Sequence, residues 1–172
     1  MAVITAGVAG SQNRVAFLDA IAGSEIGAAL LAATDNGYNV LVGSTLENPL
    51  TFPSYADHPN ILNKEFDSTA AGRYQLLHLF WADRTVDGEL VQGYKNSLDL
   101  TDFSPLAQDK VALQQIRECH ALPDIDAGNF TQAVALVAHL WASFPAAGYG
   151  QHQNTLESLL ESYVAAGGTV AA

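Results

Sequence analysis

Apolar residues recur at helical spacing near the start of the chain. Those that share one face, three or four positions apart, are Val15, Leu18, Ile21 and Ala22. Ser11 or Asn13 can cap the first turn of this predicted helix. Glu25 continues the apolar face just before Gly27, which lacks a Cβ and can end the helix in the left-handed conformation. The pattern therefore predicts a helix whose last turn carries a carboxylate.

Glu25 is placed where its negative charge is disfavoured. The last turn of a helix exposes unpaired carbonyl oxygens, and apolar neighbours raise the pKa of a carboxyl group by excluding water. A glutamate that keeps its proton is what a glycosidase needs as its general acid. The alternative is that Glu25 extends into water as an ordinary residue at a helix end.

The pattern changes after this helix. The turn dipeptide Asn36-Gly37 precedes an apolar, β-branched run at residues 38–43, which predicts a strand. Residues 44–71 contain three prolines and many small polar residues, so they predict a long loop. Loops of that length inside a domain usually have a function.

Helical spacing returns in the second half of the chain. Residues 74–88 predict a helix that fades towards its end, and Ser104-Pro105 is a cap followed by proline at the first helical position of residues 106–119. Pro123 is expected to close that element. Residues 130–141 are apolar nearly all round and predict a core helix. A last helix is predicted at 155–164, with Gly167-Gly168 as its stop.

These elements predict an α+β, mainly helical fold with a small strand and loop subregion. At 172 residues the chain is long enough for one substantial core, and no linker divides it, so a single domain over residues 1–172 is expected. Residues 1–10 are predicted to be flexible.

Charge and hydropathy exclude some partners. The net charge is −11 and the seven basic residues are scattered without a run, so nucleic-acid binding is not expected. The longest apolar run, residues 133–144, is too short for a membrane span and is interrupted by His139. Residues 1–10 have no basic start and no cleavage signal, so no secretory peptide is predicted.

The sequence predicts neither a metal nor a cofactor. Cys119 is the single cysteine and lies directly beside His120, which is not the spacing of a metal-ligand set. Asp57-His58, in the long loop, lacks a third partner at ligand spacing. Local hydrogen bonding within the loop is therefore the favoured interpretation of that pair.

Two other segments carry residue types that bind sugars. In residues 68–75, Gly72 permits close backbone approach, Tyr74 offers a stacking face and Gln75 offers an amide. Tyr149 lies between two glycines with Gln151 nearby. Taken alone, the first segment could be a simple junction between loop and helix, and the second a flexible turn.

In order along the chain, several blocks resemble the lambda-phage endolysin family. They are residues 17–25 (Phe-Leu-Asp-Ala-Ile-Ala-Gly-Ser-Glu), 37–43, 57–59, 68–77, 103–121 and 141–151. Blocks such as 111–116 and 148–151 are too long and too well ordered to arise from composition alone. The resemblance covers most of the chain.

The resemblance implies a lysozyme-like α+β fold and a lytic transglycosylase. Such an enzyme cuts the β-1,4 bond between N-acetylmuramic acid and N-acetylglucosamine in peptidoglycan. Glu25 matches the one catalytic glutamate of the family. The positions implied to line the saccharide groove are Tyr38, Asp57, Ser68, Gly72, Tyr74, Gln75, Tyr149 and Gln151.

The implied partner is the glycan strand of bacterial peptidoglycan, bound by a monomer. The protein is expected in the host cytoplasm until another factor releases it to the wall, with attachment to a virion as an alternative. Strong acidity is unlike a typical endolysin and should slow encounter with an anionic wall. Residues 26–35 and the loop at 44–60 also depart from the family pattern.

The mechanism implied uses a single glutamate. A two-carboxylate glycosidase needs a partner at a defined separation, and the loop residues Asp35, Glu47, Asp57 and Asp67 do not stand out as that partner. Glu25 is therefore expected to protonate the glycosidic oxygen and then take the proton of the muramic C6 hydroxyl, which closes onto C1. The alternatives are a hydrolytic muramidase and a non-catalytic glycan-binding or virion protein.

Overall fold

The structure is a computed structural model, and it describes residues 1–145 and 153–171. The described residues are mainly helical and contain one two-stranded antiparallel sheet. Its elements in chain order are α1 (Ala6–Ala9), α2 (Gln12–Ile26), α3 (Ala28–Ala33), α4 (His78–Trp81), β1 (Arg84–Val86), β2 (Glu89–Val91), α5 (Tyr94–Ser97), α6 (Pro105–Glu118), α7 (Leu122–Ala127), α8 (Phe130–Val137), a 3-10 turn (Ala138–Leu140) and α9 (Leu156–Ala165). No helix in the described part of the chain is long and apolar enough to cross a bilayer.

The chain forms two compact units. The terminal unit contains Met1–Gly27 and Ala112–Ala172, and the central unit contains Ala28–Val111. The boundary falls within α6 and directly after Gly27. Glu25 therefore belongs to the terminal unit, whereas the predicted sugar-binding turn at residues 68–75 belongs to the central unit.

Helix α2 starts where the sequence predicts. Ser11 is the cap, and its hydroxyl accepts a hydrogen bond from the backbone N–H of Arg14 at 3.2 Å. The helix ends at Ile26, and Gly27 has φ +81°. The predicted left-handed ending is wrong in one respect, because ψ of Gly27 is 144° rather than near that of a left-handed helix.

The core of the terminal unit is built on α2. Its buried side chains include Phe17 and Ile21, and the Phe17 ring contacts Phe130 of α8 and Tyr163 of α9 at centroid distances of 5.8 and 6.4 Å. Burial of an aromatic or large aliphatic side chain contributes about 2–3 kcal/mol. These contacts hold the helix that carries Glu25 at its C-terminal end.

The core of the central unit is built around Phe103. Its ring lies 5.0 Å from that of Trp81 and 6.0 Å from that of Phe52, measured between centroids. Residues 44–71 have no helix or extended strand, which confirms the predicted loop. The loop is fixed by this packing and by isolated bridges such as Val40↔Thr51.

The strand predicted at residues 38–43 is wrong. Val40 and Leu41 form single antiparallel bridges to Thr51 and Ala71, and no ladder extends from them. Tyr38 is also part of a turn rather than of extended chain. The run is apolar because the central unit buries it, not because it belongs to a sheet.

The helix predicted at residues 74–88 is also wrong over most of its length. Only α4 is helical there, and β1 and β2 form a hairpin with Arg84 opposite Val91. Asp87 and Gly88 make the two-residue turn, both with positive φ (52° and 86°). Asp-Gly is a strong hairpin signal, since the favoured turn needs positive φ at both positions.

Two other boundaries differ from the sequence-based prediction. Pro123 does not close a helix but lies in the first turn of α7, where proline is tolerated because the N–H it lacks has no partner there. Helix α8 ends at Val137 and continues only as the 3-10 turn. Residues 1–10 carry α1, and Ile4 and Ala9 are buried; the flexibility expected for this segment stays a prediction.

Candidate active site

Glu25 lies in the last turn of α2, in the terminal unit. It is partly buried, and its neighbours on the helix include the fully buried Ile21 and Ala22. The carbonyl of Gly23 accepts the N–H of Gly27 at 3.0 Å and so closes this turn. The apolar face predicted from the sequence thus leads directly to the carboxyl group.

Ser143 is the hydrogen-bond partner of this carboxyl group. Its hydroxyl donates to Glu25 Oε1 at 2.5 Å, and its backbone N–H donates to the same oxygen at 3.3 Å. Ser143 lies in the turn that follows the 3-10 segment. Two donors from one residue therefore converge on one carboxyl oxygen.

Two more residues bind Ser143. The hydroxyl groups of Ser24 and Ser143 are 2.7 Å apart, and Asn154 Nδ2 donates to Ser24 Oγ at 2.9 Å. The backbone N–H of Asn154 also donates to the Ser143 carbonyl at 2.8 Å. A connected polar cluster consisting of Ser24, Ser143 and Asn154 thus lies against Glu25.

The surroundings of Glu25 raise its pKa above the ordinary value. Burial, the largest effect, disfavours the charged carboxylate, and the two hydrogen bonds from Ser143 act in the opposite direction because they favour it. The negative end of the α2 dipole also disfavours charge at this position. The outcome is a carboxyl group that keeps its proton more readily than an exposed glutamate.

Gly72, in the central unit, allows a close approach of backbone to side chain. Its φ is +79°, and a Cβ added there would lie 2.2 Å from Gln108 Oε1. That oxygen accepts the N–H of Arg73 at 2.9 Å, while Gln108 Nε2 donates to the carbonyl of Tyr38 at 3.0 Å. The predicted close approach at Gly72 serves the packing of α6 against the turn.

Tyr38 and Tyr74, both predicted to bind sugar, are buried in the central unit. They are 1% and 4% exposed, and their hydroxyl groups donate to Asp109 Oδ1 at 2.8 and 2.6 Å. Burial, followed by the charge of Asp109, raises the pKa of Tyr74, so this hydroxyl stays protonated and can donate. Neither ring presents a stacking face in this structure.

The remaining predicted positions of the central unit also have internal partners. Ser68 Oγ accepts the N–H of Ala70 at 3.1 Å, and Gln75 Nε2 donates to the carbonyl of Gly72 at 2.9 Å. Their contacts with saccharide stay predictions.

Asp57 is exposed and joins several parts of the central unit. Its carboxylate accepts hydrogen bonds from Trp81 Nε1 at 2.6 Å, Lys95 Nζ at 2.9 Å and the N–H of His58 at 2.9 Å. Partial burial opposes ionisation, but these hydrogen bonds lower the pKa of Asp57. The local hydrogen bonding predicted for this loop is present, and a contact of Asp57 with saccharide stays a prediction.

Tyr149 and Gln151 lie outside the described residues. Among the residues that the structure does describe, no group of three or more His, Cys, Asp or Glu side chains is placed to hold a metal ion.

Sequence comparisons identify the relatives of this chain. The sequence model of the Endolysin family matches residues 15–170. Endolysins of Escherichia phage lambda and Escherichia phage P2 are 43% and 42% identical to it, each over 93% of this chain and over 94% and 96% of their own lengths. The chain belongs to the endolysin family.

Two solved structures share the fold of this endolysin-family chain. One is bacteriophage lambda lysozyme complexed with a chitohexasaccharide, with a TM-score of 0.79 and 43% identity. The other is lysozyme from bacteriophage lambda, with a TM-score of 0.70 and 42% identity. Both comparisons cover 94% of this chain and 97% of the other. The predicted lysozyme-like α+β fold is confirmed.

The sequence reasoning missed the partners of the endolysin glutamate. Ser143 and Asn154 are far from Glu25 in the chain, and nothing in their local pattern marks them. Ser24 directly precedes Glu25, but a serine in the last turn of a helix is commonplace. The one available signal was that Ser143 falls inside the block 141–151 that carries the family resemblance.

Proposed function

We propose that this protein is a lytic transglycosylase that cleaves the β-1,4 bond between N-acetylmuramic acid and N-acetylglucosamine in peptidoglycan. The observation that carries the proposal is the partly buried carboxyl group of Glu25, whose pKa is raised at the end of α2. Membership of the endolysin family supports a wall substrate. The chitohexasaccharide bound to the lambda lysozyme supports a glycan made of β-1,4-linked aminosugars.

In this proposal Glu25 acts twice. As an acid it gives its proton to the glycosidic oxygen while the bond from C1 to that oxygen breaks. As a carboxylate it then takes the proton of the muramic C6 hydroxyl, and the C6 oxygen bonds to C1. The glutamate regains its proton, and the muramic residue leaves as a 1,6-anhydro end without consuming water.

The hydrolytic alternative needs a second carboxylate to activate water or to act as nucleophile. Two of the loop carboxylates considered from the sequence have partners of their own. Asp35 accepts the hydroxyl of Tyr55 at 2.5 Å, and Asp57 accepts hydrogen bonds from Trp81 and Lys95. The single-glutamate mechanism needs neither of them.

Mass analysis of digested peptidoglycan tests the reaction type. We expect the new muramic ends to be anhydro forms, each lighter by one water than the reducing end that hydrolysis gives. Reducing muramic ends as the product would contradict the transglycosylase proposal and support a muramidase.

Glu25→Gln tests the role of the glutamate. Loss of the transferable proton is expected to lower turnover on purified walls by roughly 10²–10⁴-fold, while binding of chitooligosaccharide is retained. Glu161→Gln is the matched control, because it makes the same change at an exposed position of α9. Wild-type protein that binds the oligosaccharide but never clears walls would instead indicate a non-catalytic binding protein.

A further inference from the structure

We propose that Ser143 is a positioning residue for Glu25, and that Ser24 and Asn154 set the direction in which its hydroxyl donates. The inference rests on the proposed function of Glu25 as the acid. It concerns which of the two carboxyl oxygens carries the proton. The evidence is the geometry of the polar cluster formed by Ser24, Ser143 and Asn154.

The first step is the backbone N–H of Ser143. It lies 3.3 Å from Glu25 Oε1, and a backbone N–H can only donate. The hydroxyl of the same residue lies 2.5 Å from the same oxygen. Two donors thus face Oε1. Because the carbonyl oxygen of a protonated carboxyl group is a stronger acceptor than its hydroxyl oxygen, Oε1 takes the carbonyl role and Oε2 carries the proton.

The second step is the direction of the serine pair. A serine hydroxyl has one hydrogen, and the hydrogen of Ser143 is used on Glu25. The Ser24 hydroxyl then donates towards Ser143, whose Oγ lies 2.7 Å and whose carbonyl oxygen lies 3.5 Å from Ser24 Oγ. Ser24 is left with its lone pairs to accept a hydrogen bond from elsewhere.

Asn154 supplies that hydrogen bond. Its Nδ2 lies 2.9 Å from Ser24 Oγ and 3.1 Å from the Ser24 carbonyl oxygen. A carbonyl oxygen only accepts, so the side-chain group that faces it is the NH₂ rather than the amide oxygen. The hydrogen bonds thus run one way, from Asn154 to Ser24 to Ser143 to Glu25, and bonds in such a chain strengthen one another.

The consequence for catalysis is one defined reactive oxygen. A carboxyl group with two equivalent oxygens divides its proton between two orientations, and only one of them can face the glycosidic oxygen. The donors on Oε1 remove the second orientation. They also favour the carboxylate that must form when the proton is given away.

The test uses the full-length protein and four serine variants. Ser143→Ala and Ser24→Ala remove the two hydroxyls, and Ser143→Thr keeps the donor. Ser162→Ala is the matched control, because its hydroxyl donates to the Ser158 carbonyl inside α9 at 3.0 Å. The readouts are kcat and KM on purified peptidoglycan against pH, and titration of Glu25 followed by ¹³C NMR of the labelled carboxyl carbon without substrate.

We expect Ser143→Ala to lower kcat by roughly tenfold with KM unchanged, since one hydrogen bond to a charged group is lost in the reacting state. The pKa of Glu25 should rise, and the alkaline limb of the kcat profile should move to higher pH with it. Ser24→Ala should also lower kcat and raise the pKa of Glu25, by smaller amounts. Ser143→Thr and Ser162→Ala should resemble wild type.

An unchanged titration of Glu25 in Ser143→Ala would overturn the proposal, as would a loss of kcat with an unmoved pH profile. Ser24→Ala carries the same expectation if Ser143→Ala does not fold. A titration that moves while turnover stays at the wild-type level would instead refute Glu25 as the acid, and with it the catalytic role of Ser143. Failure of the positioning role and failure of the proposed function are thereby distinguished.

Discussion

His58 is a buried histidine whose protonation should destabilise the protein in acid. It is 5% exposed in the central unit, and its ring lies 4.8 Å from that of Phe103 between centroids. Nε2 lies 2.8 Å from the carbonyl oxygen of Leu76, and Nδ1 accepts the N–H of Asn60 at 3.1 Å. Because a carbonyl accepts and an N–H donates, the two contacts require the neutral ring with its hydrogen on Nε2.

The magnitude follows from the pKa. Burial lowers the pKa of His58 from 6.5 to about 4, and the positive charge of His78 acts in the same direction, although the hydrogen bond to Leu76 and the charge of Asp57 oppose them. Between these values the unfolded chain binds a proton that the folded protein does not. The stability that His58 contributes is present above pH 6.5 and is lost as the pH falls towards 4, by about 3 kcal/mol.

The assay is urea unfolding at a series of pH values from 7.5 to 4. Trp81 reports on the central unit, because its ring packs against Phe103 and its Nε1 donates to Asp57, next to His58. Placing all variants on a Trp141→Phe background leaves fluorescence from that unit alone. The free energy of unfolding of the parent protein is expected to fall steeply below pH 6.5.

His58→Gln is the informative variant, since glutamine keeps a donor for the Leu76 carbonyl and does not titrate. Carboxylates contribute equally to the pH dependence of both proteins, so the difference between their free energies of unfolding isolates the contribution of His58. That difference should shrink by about 3 kcal/mol from pH 7 to pH 4. His120→Asn, which replaces an exposed histidine, is the control and should leave the pH dependence in place. Parallel curves for the parent and His58→Gln would refute the reasoning.

Two smaller predictions concern glycine conformation and a surface ion pair. Gly72→Ala should lower the free energy of unfolding by roughly 2–4 kcal/mol, because the added Cβ meets Gln108 Oε1 at 2.2 Å in a backbone with φ +79°. Gly88→Ala, with φ +86° and open space around it, should lower it by only about 1 kcal/mol. Equal losses of the two variants in urea unfolding would show that the contact with Gln108 does not matter. Asp126→Asn should lower stability at pH 7 by about 1 kcal/mol, because Arg14 bonds both oxygens of Asp126, at 2.9 and 2.5 Å, and lowers its pKa. The stabilisation by this ion pair is present above about pH 4 and fades in acid. The free energies of unfolding of wild type and Asp126→Asn should therefore converge below pH 4 and in high salt. A difference that persists under both conditions would contradict the role of the ion pair.

Elements defined by local interactions could be predicted from the sequence. The cap of α2 lies three residues from the N–H it accepts, in Arg14, and Thr155 likewise accepts the N–H of Ser158 at 3.1 Å at the start of α9. The periodic apolar face then follows from the helix itself. Such signals are contained within a few turns, so a single sequence displays them.

Elements that depend on pairing could not be placed as well. Residues 38–43 have strand composition, but the chain offers Val40 and Leu41 only single bridges to two different partners. The hairpin at Arg84–Val91 has a local signal in Asp87-Gly88, but the helical spacing of the residues before it predicts a helix over this stretch. β-propensity reflects the packing that a strand meets more than the residues themselves.

The tyrosines show a further limit of sequence reasoning. Tyr74 next to a glycine turn has the composition of a sugar-stacking site, and the same composition suits a buried hydroxyl. The residue that binds the Tyr74 hydroxyl is Asp109, 35 residues away on α6. Its position was predicted to be helical, but no spacing rule connects it with Tyr38 or Tyr74.

The surroundings of Glu25 combine one effect that the local sequence displays with one that depends on a distant residue. Burial on the face of α2 is readable from the sequence because it follows the helical period, and it raises the pKa of the carboxyl group. Ser143, 118 residues away, acts in the opposite direction by donating twice to Oε1. The proposed mechanism uses both effects, because burial favours the protonated acid and the two donors favour the carboxylate that must form when the proton is given away. The sequence displays the burial of this carboxyl group, and only the fold reveals the donors beside it.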